Sequence, residues 1–251
     1  MIDLTGKSAL VTGGARGIGR ACCLMLARAG ASVAVNYRVE SPSAALLVEE
    51  IEGLGGEAFA LAADVARRED AEMMVDEAVS RFGGLDILVN NAGIWKESAI
   101  DEMSDGEWGE MLAVNLTGTF HCIRAAVPAM KEARGGRIVN VSSTAGQRGE
   151  AFHAHYAATK GAVISMTKSL AVELAPHGIL VNCVAPGWTV TDLTREELLG
   201  PARDTILKAI PLGRAATPEE IAGAVVFLAS ELSTFITGEV LNVNGGAVLV
   251  G

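Results

Sequence analysis

The sequence has little of what a membrane, a metal or a nucleic acid would require. Its four cysteines, Cys22, Cys23, Cys122 and Cys183, form no CxxC pair and two are adjacent. That excludes a disulfide framework and a thiolate metal site, and suits thiols buried as small hydrophobes in a reducing, cytoplasmic setting. Apolar runs such as Ala222–Ala229 fall well short of the roughly 20 residues of a spanning helix. The N-terminus opens with Asp3 and runs into a strand, without a basic-then-apolar leader, so no membrane partner is expected. Positive charge is scarce: 20 Lys and Arg stand against 30 Asp and Glu, a net charge of −10, which argues against nucleic acid or an anionic surface as a partner. A polyanionic ligand would then be held by a few local cations. His121 and His177 have no companions at ligand spacing, so no metal site is expected. Repeats, low-complexity segments and linkers are absent, and residues 1–251 read as a single domain.

What is present is apolar material arranged in alternation. Half of the residues are hydrophobic and a fifth are charged, enough to bury a core. Strands are expected at Lys7–Thr12, Ser32–Tyr37, Glu57–Ala62, Asp86–Asn90, Arg137–Ser142, Ile179–Val184 and Val240–Val243. Helices are expected between them at Ile18–Ala29, Ser43–Leu54, Arg68–Phe82, Asp105–Glu132, His155–Ala175 and Pro218–Ala229. Continuous runs such as Ile87-Leu88-Val89 mark strands covered on both faces. Alternating strands and helices predict an α/β fold: one doubly wound, Rossmann-type domain with a mostly parallel seven-stranded sheet flanked by helices. Gly30 and Gly83-Gly84 close helices, and Thr217-Pro218-Glu219-Glu220 opens one.

Two stretches carry chemistry. Thr12-Gly13-Gly14-Ala15-Arg16-Gly17-Ile18-Gly19 lies between the first strand and the first helix. Its glycines permit a tight turn and close approach of backbone to a pyrophosphate, and the helix N-terminus presents free N–H groups. The spacing, Gly-x-x-x-Gly-x-Gly, differs from the common Gly-x-Gly-x-x-Gly. The second strand ends Asn36-Tyr37-Arg38 without an acid to take ribose hydroxyls. Arg16 and Arg38 can converge on a 2′-phosphate, so NADP(H) is the expected cofactor; Glu40 reads as a solvated residue past the strand end. The second stretch, Tyr156-Ala157-Ala158-Thr159-Lys160, places a phenol and an ammonium one turn apart on a helix. A nearby positive charge favours tyrosinate, bringing a phenol towards working range for proton transfer to a carbonyl oxygen. Ser143, at the end of the fifth strand, can hydrogen-bond the same oxygen. His153 and His155 flank the tyrosine without a triad carboxylate and read as pocket-rim or surface groups. Trp95 is either a pocket wall or core packing.

Taken together, Thr12–Gly19, Asn90-Asn91-Ala92-Gly93, Asn115, Ser143, Tyr156, Lys160 and Pro186-Gly187 resemble the short-chain dehydrogenase/reductase family in order and spacing over almost the whole chain. The resemblance implies Tyr156 as general acid/base, Ser143 orienting the carbonyl oxygen, and Lys160 holding the nicotinamide ribose while lowering the tyrosine pKa. It implies Asn115 holding a water that extends the proton path. It also assigns cofactor contacts to Gly13, Arg16, Gly17, Ile18, Gly19 and Arg38; to Asp64 and Val65 at the adenine; to Asn91, Ala92 and Gly93 along the adenosine ribose; to Pro186, Gly187 and Thr189 around the nicotinamide; and to Thr191 near its carboxamide or the phosphates. Thr189 departs from the Ile or Val common there.

The ending Ile236-Thr237-Gly238-Glu239…Asn242-Val243-Asn244-Gly245-Gly246 is most similar to bacterial 3-oxoacyl-[acyl-carrier-protein] reductases. That implies an acyl-thioester carbonyl substrate and an acyl carrier protein partner. Arg134 matches one docking arginine, but His177 replaces a second. Relatives acting on sugars, steroids or small ketones share the scaffold, and a non-catalytic cofactor sensor stands as a further alternative. Residues 188–210 read as an amphipathic substrate lid. Small and apolar residues along the helices over Asp105–Glu132 and from Tyr156 (Ala157, Ala158, Gly161, Ala162 and Ser165, then Val163, Met166, Leu170, Val172 and Leu174) point to a homotetramer.

Overall fold

The computed structural model describes residues 2–39 and 42–250; Glu40 lies outside them. The expected alternation is present. In chain order the elements are β1 (Ser8–Val11), α1 (Gly17–Arg28), β2 (Ser32–Tyr37), α2 (Pro42–Gly53), β3 (Ala58–Ala62), α3 (Arg68–Phe82), β4 (Ile87–Asn90) and α4 (Asp105–Leu112). A π turn at Ala113–Thr117 leads to α5 (Gly118–Glu132), β5 (Gly136–Val141), α6 (Ala145–Arg148), α7 (Ala154–Leu174) and β6 (Ile179–Pro186). The chain ends through α8 (Arg195–Leu199), α9 (Arg203–Lys208), α10 (Pro218–Ala229) and β7 (Val240–Val243). The sheet order is β3-β2-β1-β4-β5-β6-β7, and every pairing is parallel. The order reverses between β1 and β4, which opens a crevice at the carboxyl ends of those strands.

The strands are uniformly apolar because alternate residues feed two different cores. Ala9, Val11, Val33, Val35, Ile87 and Val89 pack with α1 and α10 on one face. Leu10, Ala34 and Leu88 point the other way and join residues of α3, α5 and α7. With side chains alternating between faces, both sets must be hydrophobic. Thr217 opens α10 as expected, with Pro218 in the first turn and a capping box to Glu220, and a second capping box, Ser104–Glu107, starts α4.

The structure departs from the expected elements in three places. The helix anticipated over Asp105–Glu132 is broken by the π turn, whose buried centre is Asn115. Residues 188–210 hold two short helices, α8 and α9, too brief to show a helical period. α6, four residues long, escapes for the same reason.

Candidate active site

The glycine loop is shaped by its own backbone and fastened from two sides. Gly13 and Gly17 have φ of 60° and 53°, where a Cβ is strained. The Asn36 side chain, buried in β2, accepts from Gly13 N at 3.1 Å and donates to Ala63 O at 3.0 Å. Asn91 Nδ2 donates to Thr12 O at 2.9 Å and Gly13 O at 3.1 Å, while Thr12 Oγ1 accepts from Asn91 N and Ala92 N, both at 3.0 Å. The loop is therefore sewn to the turn after β4. A Cβ on Gly19 would lie 2.6 Å from Asn91 Nδ2. Gly19 thus lets α1 approach that seam, and it does not border the cleft.

A cleft of about 630 Å³ runs along the carboxyl ends of the strands, within the range of cofactor sites. Gly13, Arg16, Gly17, Ile18, Arg38, Asp64, Val65, Asn91, Ala92, Gly93, Ser143, Tyr156, Lys160, Pro186, Gly187, Thr189 and Thr191 all line it; Gly19 and Asn115 do not. At its outer end Arg16 leads into α1 in extended conformation, and Arg38 Nη1 lies 3.9 Å from Asp64 Oδ2. Asp64 Oδ1 accepts from Ala66 N at 3.0 Å. Ser43 also lines this end; placed early in α2, it carried no motif that would single it out.

At the inner end, α7 presents Tyr156 and Lys160 a turn apart. Lys160 is buried, its Nζ donating to Val141 O at 2.8 Å and lying 5.7 Å from the Tyr156 ring centre. Ser142 Oγ donates to Lys160 O at 2.8 Å. A Cβ on Gly146 would meet Lys160 carbonyl carbon at 2.5 Å, so this glycine, which the motif reading passed over, allows α6 to cross α7 at the lysine. Ser143 accepts from Ala145 N at 3.1 Å and hydrogen-bonds the Tyr156 phenol. Burial pushes that phenol up to about 12 despite the Ser143 bond, with Glu150 adding to the rise. This corrects the expected lowering: in the protein alone, desolvation is the largest influence on the phenol. Burial likewise brings Lys160 down to about 8.

Asn115 stands behind the wall, not on it. Its Oδ1 accepts from Ile94 N at 2.8 Å and its Nδ2 donates to Ile94 O at 2.9 Å. A Cβ on Gly93 would sit 3.4 Å from Asn115 Oδ1 and 3.6 Å from Lys160 Nζ, so both groups converge on Gly93. π turns recur where a side chain is drawn out of a helical ladder for function. In the segment 188–210, Thr189 is 3% exposed and its Oγ1 donates to Gly187 O at 3.1 Å. Residues 188–190 are pinned to Ala216 by backbone bonds.

The histidines require a second correction. His153 and His155 are buried, at 6% and 0% exposure, not at the rim or surface. His153 stacks on Trp95 with ring centres 4.4 Å apart, which makes Trp95 a supported pocket wall. Burial holds His155 below the usual imidazole range. Among the described residues there is no metal-binding cluster and no helix long and apolar enough to cross a membrane. The four cysteines are free and buried.

The burial of Lys160 predicts a cost in stability. Its pKa is about 8 when folded and ordinary when unfolded, so below pH 8 folding must desolvate a charge that the unfolded chain keeps in water. Between that value and the ordinary lysine pKa the unfolded chain binds the extra proton, and stability rises with pH. Lys160→Met should therefore raise the melting temperature of the cofactor-free protein at pH 7, and the gain should shrink as pH climbs from 8 towards 10. Thermal unfolding of both proteins across that window tests this; an equal gain at both ends would contradict it.

Comparison with known proteins agrees with this geometry. The family model described as Enoyl-(Acyl carrier protein) reductase matches residues 13–248. The 3-oxoacyl-[acyl-carrier-protein] reductase FabG of Staphylococcus aureus is 47% identical over 96% of this chain and 97% of its own. The corresponding reductase of Synechocystis is 42% identical over 99% and 100%. A crystal structure of a dehydrogenase/reductase from Sinorhizobium meliloti superposes with a TM-score of 0.93 at 40% identity, covering 98% of this chain and 97% of that one. With the glycine cradle, the Ser143–Tyr156–Lys160 cluster and these relatives in agreement, the chain belongs to the short-chain dehydrogenase/reductase family, an oxidoreductase acting on CH–OH groups through a nicotinamide cofactor.

Proposed function

We propose that the protein is an NADPH-dependent 3-oxoacyl-[acyl-carrier-protein] reductase working in the cytoplasm. The observation that carries the reading is the shared lining of the cleft: Ser143, Tyr156 and Lys160 stand at one end of the same cavity whose other end is formed by the glycine loop and Arg38. The Tyr156 phenol is thus placed to give its proton to a carbonyl oxygen, as reduction demands. Ser143 orients that oxygen. Lys160, below its ordinary pKa but still mainly charged at neutral pH, binds the ribose and favours the tyrosinate left after transfer.

The cofactor fits the cradle. The N–H groups at the start of α1 take the pyrophosphate. Arg16 and Arg38 take the 2′-phosphate, where the end of β2 offers no carboxylate. When bound, NADPH supplies hydride to the carbonyl carbon.

The acyl-thioester substrate rests on the reductases that this chain matches. Arg134 stands before β5, and that strand's six residues put it roughly 20 Å from Ser143, so it does not border its own site. Arg148 lines the pocket beside Tyr156 instead. NADPH oxidation with 3-oxoacyl thioesters, set against sugars, steroids and simple ketones, tests the assignment. Saturable turnover of the thioesters is expected. Cofactor binding without turnover of any member would replace the enzyme by a sensor.

Homotetramer formation belongs to the same proposal. Val163 and Leu174 are consumed by the chain's own core, but Phe120 on α5 and Val172 on α7 stay 45% and 81% exposed, and contact between copies would cover them. Sedimentation giving a single 25.9 kDa species would refute it.

A further inference from the structure

A side chamber, open to solvent, adjoins the main cleft at Ser143 and Tyr156, which line both. A carbonyl whose oxygen meets these two hydroxyls therefore has the chamber next to it. A 3-oxoacyl group brings a second acceptor to that place: the thioester carbonyl, one methylene from the carbon that is reduced.

Most side-chain donors of the chamber are already used. Trp95 Nε1 donates to Glu150 Oε2 at 3.2 Å, and the Thr194 hydroxyl donates to Thr189 O. Ser143 and Tyr156 serve the reacting oxygen. Arg148 differs from all of these. It is the one cation among the residues that line the chamber, it is exposed, and among the described residues its side chain has no hydrogen-bond or ion-pair partner. Its backbone is nevertheless fixed. Arg148 N donates to Thr144 O at 3.1 Å, and the start of α6 is tied to Ser143 by Ala145 N donating to Ser143 Oγ at 3.1 Å. The guanidinium thus starts from a set position relative to the hydroxyl that orients the substrate.

The charge of the chamber decides what Arg148 can hold. An anionic group there would also face the Glu150 carboxylate, which lines the same chamber. A neutral carbonyl oxygen accepts a charge-assisted bond from the guanidinium without that repulsion. Trp188 Nε1 and the Thr144 hydroxyl are neutral donors nearby, and the charged donor makes the stronger bond.

We propose that Arg148 selects 1,3-dicarbonyl substrates, its guanidinium donating to the thioester carbonyl oxygen while Ser143 and Tyr156 hold the 3-oxo oxygen. Two attachments fix the carbon chain against the nicotinamide; a ketone without a second carbonyl has only one. This rests on the reading of the protein as a 3-oxoacyl reductase, but the same demand holds for a β-keto ester. Because the chamber is wet, a guanidinium left without its acceptor is rehydrated. Discrimination is then roughly tenfold, the scale of one hydrogen bond to a charged group, and not the roughly 10⁴–10⁵ of a sealed polar site.

The test compares kcat/KM, with NADPH, for ethyl 3-oxobutanoate and for 4-ethoxybutan-2-one, which lacks only the second carbonyl. The N-acetylcysteamine thioester of 3-oxobutyrate is run in parallel. A β-keto ester is the more electrophilic ketone on any enzyme, so the readout is the change in the ester-to-ether ratio on substitution. Arg148→Met should lower that ratio roughly tenfold, and Arg148→Lys, a cation without the planar fork, should retain part of it. Because the ratio is taken within each variant, a general loss of activity divides out. Trp188→Phe, which removes the neutral indole donor, should leave the ratio near that of wild type. A ratio that survives Arg148→Met, or one that collapses with Trp188→Phe instead, would overturn the inference. An Arg148-dependent ratio without thioester turnover would sink the acyl-thioester reading and leave the role of Arg148 standing. Thioester turnover with a ratio indifferent to Arg148 would do the reverse.

Discussion

Tyr156→Phe should reduce kcat by roughly 10²–10⁴-fold, the range for removal of a general acid, while NADPH still binds. The substitution keeps the ring that closes the inner end of the cleft and deletes only the oxygen that meets Ser143. The proton for the new alcohol must then come from water or from Lys160, and the structure aims the lysine at Val141 O, 2.8 Å away, not at the substrate position. Affinity for NADPH, read by fluorescence titration, should stay within a few-fold of wild type because the glycine loop and both arginines are untouched. Thermal stability should hold or rise slightly, since a buried hydroxyl leaves with its partner Ser143 still able to bond elsewhere. Near-normal turnover would remove Tyr156 from the chemistry. Lost cofactor binding would show that the phenol has a structural task instead.

The sheet and its flanking helices were legible in the sequence because hydrophobic period and helix punctuation are local signals. Ser32–Tyr37, Arg68–Phe82, Pro218–Ala229 and Val240–Val243 coincide with the structure to the residue. The cleft residues were legible for a different reason: a glycine loop and a Tyr-x-x-x-Lys pair are short motifs whose chemistry needs fixed spacing. What stayed hidden depends on long-range contacts. Asn115, at the centre of the π turn, bonds to Ile94, 21 residues away, and nothing in Ala113–Thr117 announces that contact. Gly146 is defined by what crosses it, the carbonyl of Lys160. The burial of His153 and His155 likewise comes from packing, against Trp95 in one case. The sign of the Tyr156 shift was misjudged because sequence supplies the neighbouring charge but not the desolvation that competes with it.

Arg38→Asp should invert cofactor choice, lowering the NADPH-to-NADH ratio of kcat/KM by roughly 10²–10⁴-fold. Three effects add. Loss of a charge-assisted contact to the 2′-phosphate removes about 1.5–3 kcal/mol. A carboxylate facing that phosphate costs about 1 kcal/mol more where solvent screens it. The same carboxylate gains about 1 kcal/mol with NADH by accepting from the free ribose hydroxyl. At 1.4 kcal/mol for each factor of ten, the sum falls in the stated range. The Arg38–Asp64 ion pair does not stand in the way. At 3.9 Å, with side chains 51% and 29% exposed, it is a weak surface pair that Arg38 can leave for a phosphate. Arg38→Leu separates the contributions, since it should weaken NADPH without improving NADH. Wild-type preference for NADPH should also shrink as salt is raised, because an exposed guanidinium–phosphate contact is screened. A wild-type enzyme that uses NADH as well as NADPH, or an Arg38→Asp ratio unchanged from wild type, would leave the outer end of the cleft without its proposed occupant.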